Sequence, residues 1–154
     1  MALEYDLHLA ASMRPRQALE LLAGQVDELT WSEDGFCLVH EVVTITAAET
    51  RIPGRGPTVI EEVFGFDLKV GVGFRFVSNT DYGIFKQIML RATMLLLKHA
   101  QNAVLLFNGE IIALQRFGGK LVLNADHHIW DDDEWLKSGG TVSFERRPLP
   151  SPLL

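Results

Sequence analysis

Residues 91–124 read RATMLLLKHAQNAVLLFNGEIIALQRFGGKLVLN, and their pattern decides the fold. The opening part continues an apolar series at helical spacing, from Ile84, Phe85, Ile88 and Met89 through Ala92, Leu95 and Leu96. This predicts a principal helix over residues 81–99, started by Asn79, Thr80 or Asp81. Met94 and Leu97 widen the apolar stripe, so the helix is expected to be covered on more than one side. Lys98 and His99, near its end, oppose the negative pole of the helix dipole. Asn108-Gly109 then falls between VLLF and EIIAL, and both central positions of a type I′ turn need a positive φ that Asn and Gly tolerate. Gly118-Gly119 marks a second reversal, which gives a three-stranded meander over residues 103–107, 110–116 and 120–124.

Working outward, residues 3–10 alternate, with Leu3, Tyr5, Leu7 and Leu9 on one side and Glu4, Asp6 and His8 on the other. That is a half-buried strand, with His8 expected as a solvated histidine. Pro15 suits the first turn of a helix that carries Ala18, Leu19, Leu21 and Leu22 and stops at Gly24. The β-branched run Val42, Val43, Thr44, Ile45, Thr46 predicts strand within residues 36–47, paired with a neighbour around Trp31 or Phe36. Residues 51–57 form a Pro/Gly connection without the lysine and hydroxyl of a phosphate-binding loop. A short helix runs from Pro57-Thr58 to Phe64, with Glu61 and Glu62 expected on a solvated face, and ends at Gly65.

In residues 69–77, Val70, Val72, Phe74 and Phe76 share one strand face, and Lys69, Gly71, Gly73, Arg75 and Val77 the other. The alternating glycines permit close approach of a backbone or ligand, although a twist or bulge is their usual explanation. A last strand is expected over residues 141–146, with Val142 and Phe144 inward. Three prolines then keep the tail, residues 147–154, extended as a strap across its own domain. The fold class is therefore α+β: one domain over residues 1–154, a mainly antiparallel sheet, one long helix and two or three shorter ones. Its core should rest on Phe74, Phe76, Leu95, Leu96, Leu105 and Leu121.

Composition narrows the function classes. With 154 residues, 47% of them apolar, the chain can build a core without a disulfide or metal staple. Its single cysteine, Cys37, is read as a small buried hydrophobe in a reducing compartment, with a reactive nucleophile as the alternative. Glu4 and Asp6 break the pattern a secretory signal needs, no run is long and apolar enough for a membrane span, and the expected location is the cytoplasm. Twenty acidic against 14 basic residues give a net charge of -6, which argues against nucleic acid or anionic lipid as partner and favours a basic one.

The dense polar constellation is Asp126, His127, His128, Trp130, Asp131, Asp132, Asp133 and Glu134. A metal-dependent or acid/base enzyme could use His127, His128, Asp131, Asp132 and Asp133. Adjacent histidines, however, point apart on a strand and subtend about 100° on a helix. Alternatively Asp131 caps a short helix, with Glu134 completing a capping box and Gly139 ending it. A third reading makes Trp130 an exposed aromatic anchor in a negative field that captures a basic partner. The Gly-x-Ser-x-Gly elbow of serine hydrolases is absent, and Cys37 with His40 lacks a visible orienting carboxylate.

ALEYDLHLA, RPRQALELL, MLRATMLLLKHAQNAVLLFNGE, ALQRFGGKLVLNAD and the ending ERRPLPSPLL together resemble a family of small proteins named for the immunity partners of swarming-inhibition toxins. The resemblance covers most of the chain, and its motifs are structural. It implies a cytoplasmic protein that neutralises a cognate toxin by tight binding, with no catalysis and no cofactor. It carries over no binding residues. A non-catalytic regulatory or scaffold domain stays open beside it.

Overall fold

The computed structural model describes residues 3–50, 54, 56, 58–130 and 143–152. Nine strands form one sheet in the order β2-β3-β4-β5-β1-β6-β7-β8-β9: β1 (Glu4–Leu9), β2 (Thr30–Trp31), β3 (Leu38–Val39), β4 (Val43–Glu49), β5 (Val70–Phe76), β6 (Ala103–Phe107), β7 (Ile111–Phe117), β8 (Lys120–Asn124) and β9 (Phe144–Arg147). Every neighbouring pair is antiparallel except β8 with β9. Three helices accompany them, α1 (Pro15–Gln25), α2 (Val59–Phe64) and α3 (Tyr82–Leu97). The α+β expectation holds, and among the described residues no helix is long and apolar enough to cross a membrane.

The first strand of the chain is the middle of the sheet. Tyr5, Leu7 and Leu9 point into the main core and are fully buried, where they meet Val70, Val72 and Phe74 of β5, Leu105 of β6 and Phe85 and Leu96 of α3. The core residues read from the sequence are placed as expected, with Phe76 and Leu95 half-buried at its margin. On the opposite face Val104, Leu106, Ile112 and Val122 make a smaller cluster under Ile60 and Phe64 of α2 and Leu149 of the tail. Leu149 thus brings residues after β9 against this outer face. The expected strand residues 141 and 142 lie outside the described residues, and the observed strand continues to Arg147.

Local chemistry explains the element ends. Asn108 and Gly109 have φ of 49° and 76°, as a type I′ hairpin requires. Thr58 and Glu61 form the capping box of α2, which ends at Gly65 in the left-handed region. Asp81 caps α3 by accepting from the Ile84 N–H. Helix α1 starts at Pro15 but continues past Gly24 to Gln25, because Val26 is buried and its N–H reaches the Leu22 carbonyl.

Lys98 and His99 are exposed at the end of α3, where the Arg116 guanidinium from β7 donates to the Leu97 carbonyl and to that of Ala100 just beyond the helix. Some expectations need correction. Glu61 is buried rather than solvated, since its carboxylate accepts from the Thr58 and Leu68 N–H groups. Strand β5 runs in continuous register with both neighbours, so its glycines mark no bulge. Cys37 is half-buried rather than fully enclosed. Phe36 sits in the turn before β3 and is 78% exposed.

His8 is not a solvated histidine. It lies on the outer face of β1 with Nδ1 buried, and burial pulls its pKa down to about 4. Two residues away, burial and then the Glu4 charge push Asp6 up to about 6. Glu4 stands on the same strand, Lys69 and Arg75 on the facing side of β5 and Glu49 at the end of β4, while β6 presents Val104 and Leu106.

Leu96→Ala, at a fully buried site, is expected to cost about 2–5 kcal/mol in a denaturant titration; an unchanged midpoint would remove α3 from the core. The shifts of Asp6 and His8 oppose each other. Relative to the ordinary values of 3.8 and 6.5, the folded state holds the Asp6 proton and refuses the His8 proton. From about pH 4 to 6 the proton counts of folded and unfolded chains match for this pair, and its pH slope cancels. Asp6→Asn should therefore unmask a stability that falls as pH drops from 6.5 toward 4. His8→Gln should unmask the reverse, a stability that falls as pH rises from about 4 to 6. Denaturant midpoints across pH 4 to 7 check both signs, and parallel curves for the two variants would contradict the assignment.

Candidate functional site

The constellation that begins at Asp126 grows out of the end of β8. Asn124, the last residue of that strand, is buried on the outer face. Its side-chain amide donates to the Ile112 carbonyl at 2.7 Å and accepts from the Asp126 N–H at 3.0 Å and the Leu149 N–H at 3.2 Å. One side chain thus fixes the turn out of β8 and the strap that returns beside it. A short 3-10 turn, His128–Trp130, follows.

Trp130 corrects the expectation of an exposed anchor. It is 3% exposed and belongs to the main core, and its indole Nε1 donates to the Ala113 carbonyl at 2.8 Å. The reason lies in β7, where the register with β6 shifts between Leu105 and Leu106. Leu105 pairs with Leu114 and Leu106 with Ile112, which leaves Ala113 as an extra residue. A bulge frees backbone groups from the ladder. The Ala113 carbonyl is met by Trp130 and the neighbouring Ile112 carbonyl by Asn124, past Leu114, where the pairing of β7 with β8 ends.

The adjacent histidines lie on neither strand nor α-helix: His127 stands just before the 3-10 turn and His128 within it, with ring centroids 4.6 Å from one another. His127 is buried, with Nε2 2.8 Å from the Tyr5 hydroxyl; His128 is exposed, with Nε2 3.0 Å from the Tyr82 hydroxyl; and the two hydroxyls are 3.4 Å apart. Burial first, and then the Tyr82 hydroxyl, raises the Tyr5 pKa far above the ordinary phenol range, so Tyr5 stays a neutral hydroxyl at any physiological pH. The result is a hydrogen-bonded chain of four groups leading from the core to solvent, ringed by Phe76, Phe85 and Phe107. Among the described residues no group of three His, Cys, Asp or Glu side chains is placed to hold a metal ion. Asp126 is exposed beside this chain, while Asp131, Asp132, Asp133 and Glu134, and the helix expected to start at Asp131, lie outside the described residues.

Sequence reading overlooked Tyr5, Tyr82 and Asn124. The available signal was Tyr5 itself, the one polar tip in the inward series Leu3, Tyr5, Leu7, Leu9, since a buried tyrosine hydroxyl generally finds a partner.

The model of the SitI3-like family matches residues 3–134. The chain belongs to that family, whose members are Sit-type immunity proteins. Compared with curated proteins and with solved structures, the chain matches none. The family match takes in β1 through β8, the Tyr-His chain and the acidic stretch as far as Glu134. It stops before β9 and before the ERRPLPSPLL ending that contributed to the sequence resemblance.

Trp130→Ala, at a site that is 3% exposed, is expected to lower stability by about 3–5 kcal/mol, as truncation of a core aromatic does. Trp130→Phe retains most of the apolar contact but leaves the Ala113 carbonyl unpartnered, which should cost about 1–3 kcal/mol. Denaturant unfolding of both variants checks this; a Trp130→Ala protein as stable as its parent would return the indole to the surface.

Proposed function

We propose that this SitI3-like chain is an immunity protein that neutralises a cognate toxin by binding it in the cytoplasm, without catalysis and without a cofactor. Membership of the family over residues 3–134 is the observation that carries the reading. The net charge of -6 supports a basic toxin, because complementary charge accelerates encounter. Within the chain, the acidic stretch Asp126, Asp131, Asp132, Asp133 and Glu134 is the best candidate for the contact surface, with His128 exposed at its start. Trp130 contributes differently from the first expectation. Locked into the core through Ala113, it holds the end of the turn that precedes the acidic residues.

The test is co-expression with a toxin encoded next to this gene, followed by titration of the purified pair. A binding inhibitor abolishes toxicity at a fixed molar ratio, whereas an enzyme that destroys the toxin protects at far less than one equivalent. Fixed-ratio inhibition is the expected outcome. Replacing Asp131, Asp132 and Asp133 by asparagine should slow association and flatten its dependence on salt, with little effect on dissociation, since rim charges act mainly on encounter. A variant that associates like the parent at every salt concentration would move the contact surface to another face.

A further inference from the structure

On the outer face of the sheet, beside α2, β1, β4 and β5 enclose a hollow of about 290 Å³. Gly71 and Gly73 form its floor, with Asp6 and His8 on one side and Thr46 and Thr50 on the other. Neither glycine has a positive φ. What the site uses is their lack of a side chain. A Cβ on Gly73 would lie 3.0 Å from Thr46 Oγ1 and 3.3 Å from Asp6 Oδ1, and one on Gly71 would lie 3.4 Å from His8 Nδ1 and 3.8 Å from Thr50 Oγ1. Any other residue in these positions would occupy the space the four polar side chains share.

Two of those polar atoms, His8 Nδ1 and Thr50 Oγ1, are buried and have no hydrogen-bond partner among the described residues. Buried polar atoms are ordinarily paired with protein, water or a ligand. The groups gathered here are rich in acceptors: the Asp6 carboxylate, the Thr46 and Thr50 hydroxyl oxygens, and His8 Nδ1 when the imidazole proton sits on Nε2. Among the described lining residues there is no lysine or arginine. An anion would face the Asp6 carboxylate, and an apolar group would leave the acceptors unmet. A planar, donor-only cation satisfies several acceptors at once.

We propose that the hollow is a recognition site for a guanidinium group, held by Asp6, Thr46, Thr50 and His8 over the glycine floor. The shared chemistry is the cation, carried by a small free molecule or by a side chain of a partner protein. A cation there compensates the Asp6 carboxylate, whose pKa burial raises to about 6. The reasoning rests on β1, β4 and β5 and does not depend on the toxin reading.

The experiment uses the full chain and nuclear magnetic resonance of the Gly71 and Gly73 amides and the His8 ring nitrogens. Three probes are titrated: butylguanidinium, its neutral isostere butylurea, and an end-capped Gly-Arg-Gly peptide. Saturable shifts are expected with a guanidinium carrier and not with butylurea. Affinity should fall by about tenfold or more in Asp6→Asn, because the ion pair loses its anion. Gly71→Ala, whose new methyl meets only ordinary contacts, should weaken binding similarly by filling the space; thermal melting verifies that both variants are folded. Saturation by butylguanidinium alone assigns the site to a small free cation, and saturation by the peptide, with or without butylguanidinium, to a protein side chain. Absence of saturable shifts with both carriers, an equal response to butylurea, or unchanged affinity in both variants would overturn the proposal and leave the hollow to water.

Discussion

Everything in this molecule is arranged around the requirement that β1 be satisfied on both edges and both faces. It sits between β5 and β6, so the ladder on one side joins it to the β4-β5 pair and the ladder on the other to the meander. Its inward residues must fill the core under α3, and Tyr5 does so while carrying a hydroxyl that needs a partner. A central strand with a polar tip facing inward constrains what may stand at its end. Here that position is taken by His127, delivered by the turn after β8, so the chain segment farthest along the meander is tied to the strand at its centre.

The same economy of polar groups explains the region after β8. The pairing of β7 with β8 ends at Leu114, and the Ile112 and Ala113 carbonyls beyond it need other donors. Asn124 and Trp130 supply the missing donors, and Asn124 also accepts from the returning tail. Residues that look like surface chemistry when seen beside aspartates are therefore structural as far as Trp130. The exposed part of the constellation begins with Asp126 and His128.

Much of the fold was legible because it is written locally. Asn108-Gly109 dictates its hairpin, Thr58 with Glu61 and Gly65 brackets α2, and the alternation of residues 3–10 declares a strand with a buried face. What stayed hidden depends on residues far apart in sequence. No local pattern shows that Arg116 would cap α3 or that Tyr5 would bond His127, 122 positions away. Trp130 was misread because its neighbours are acidic, although side-chain direction in a 3-10 turn is set by where the core lies. His8 was misread because alternation reports which face a residue occupies and not whether that face is wet. The glycines opposite it were recognised as thinning the strand, but their effect on His8 and Asp6 emerges only once β1 is laid beside β5.

The central placement of β1 also sets an order of events during synthesis. The strand is made before either of its partners, and its pairing must wait until residues 70–76 and then 103–107 have been added. Until then Tyr5, Leu7 and Leu9 belong to a segment with two open edges. Sheets closed by contacts so distant in sequence assemble slowly, because loop-closure entropy must be overcome before the pairing rewards it. The nascent sheet is consequently most open to aggregation before β6 is added, because that strand closes the second edge of β1.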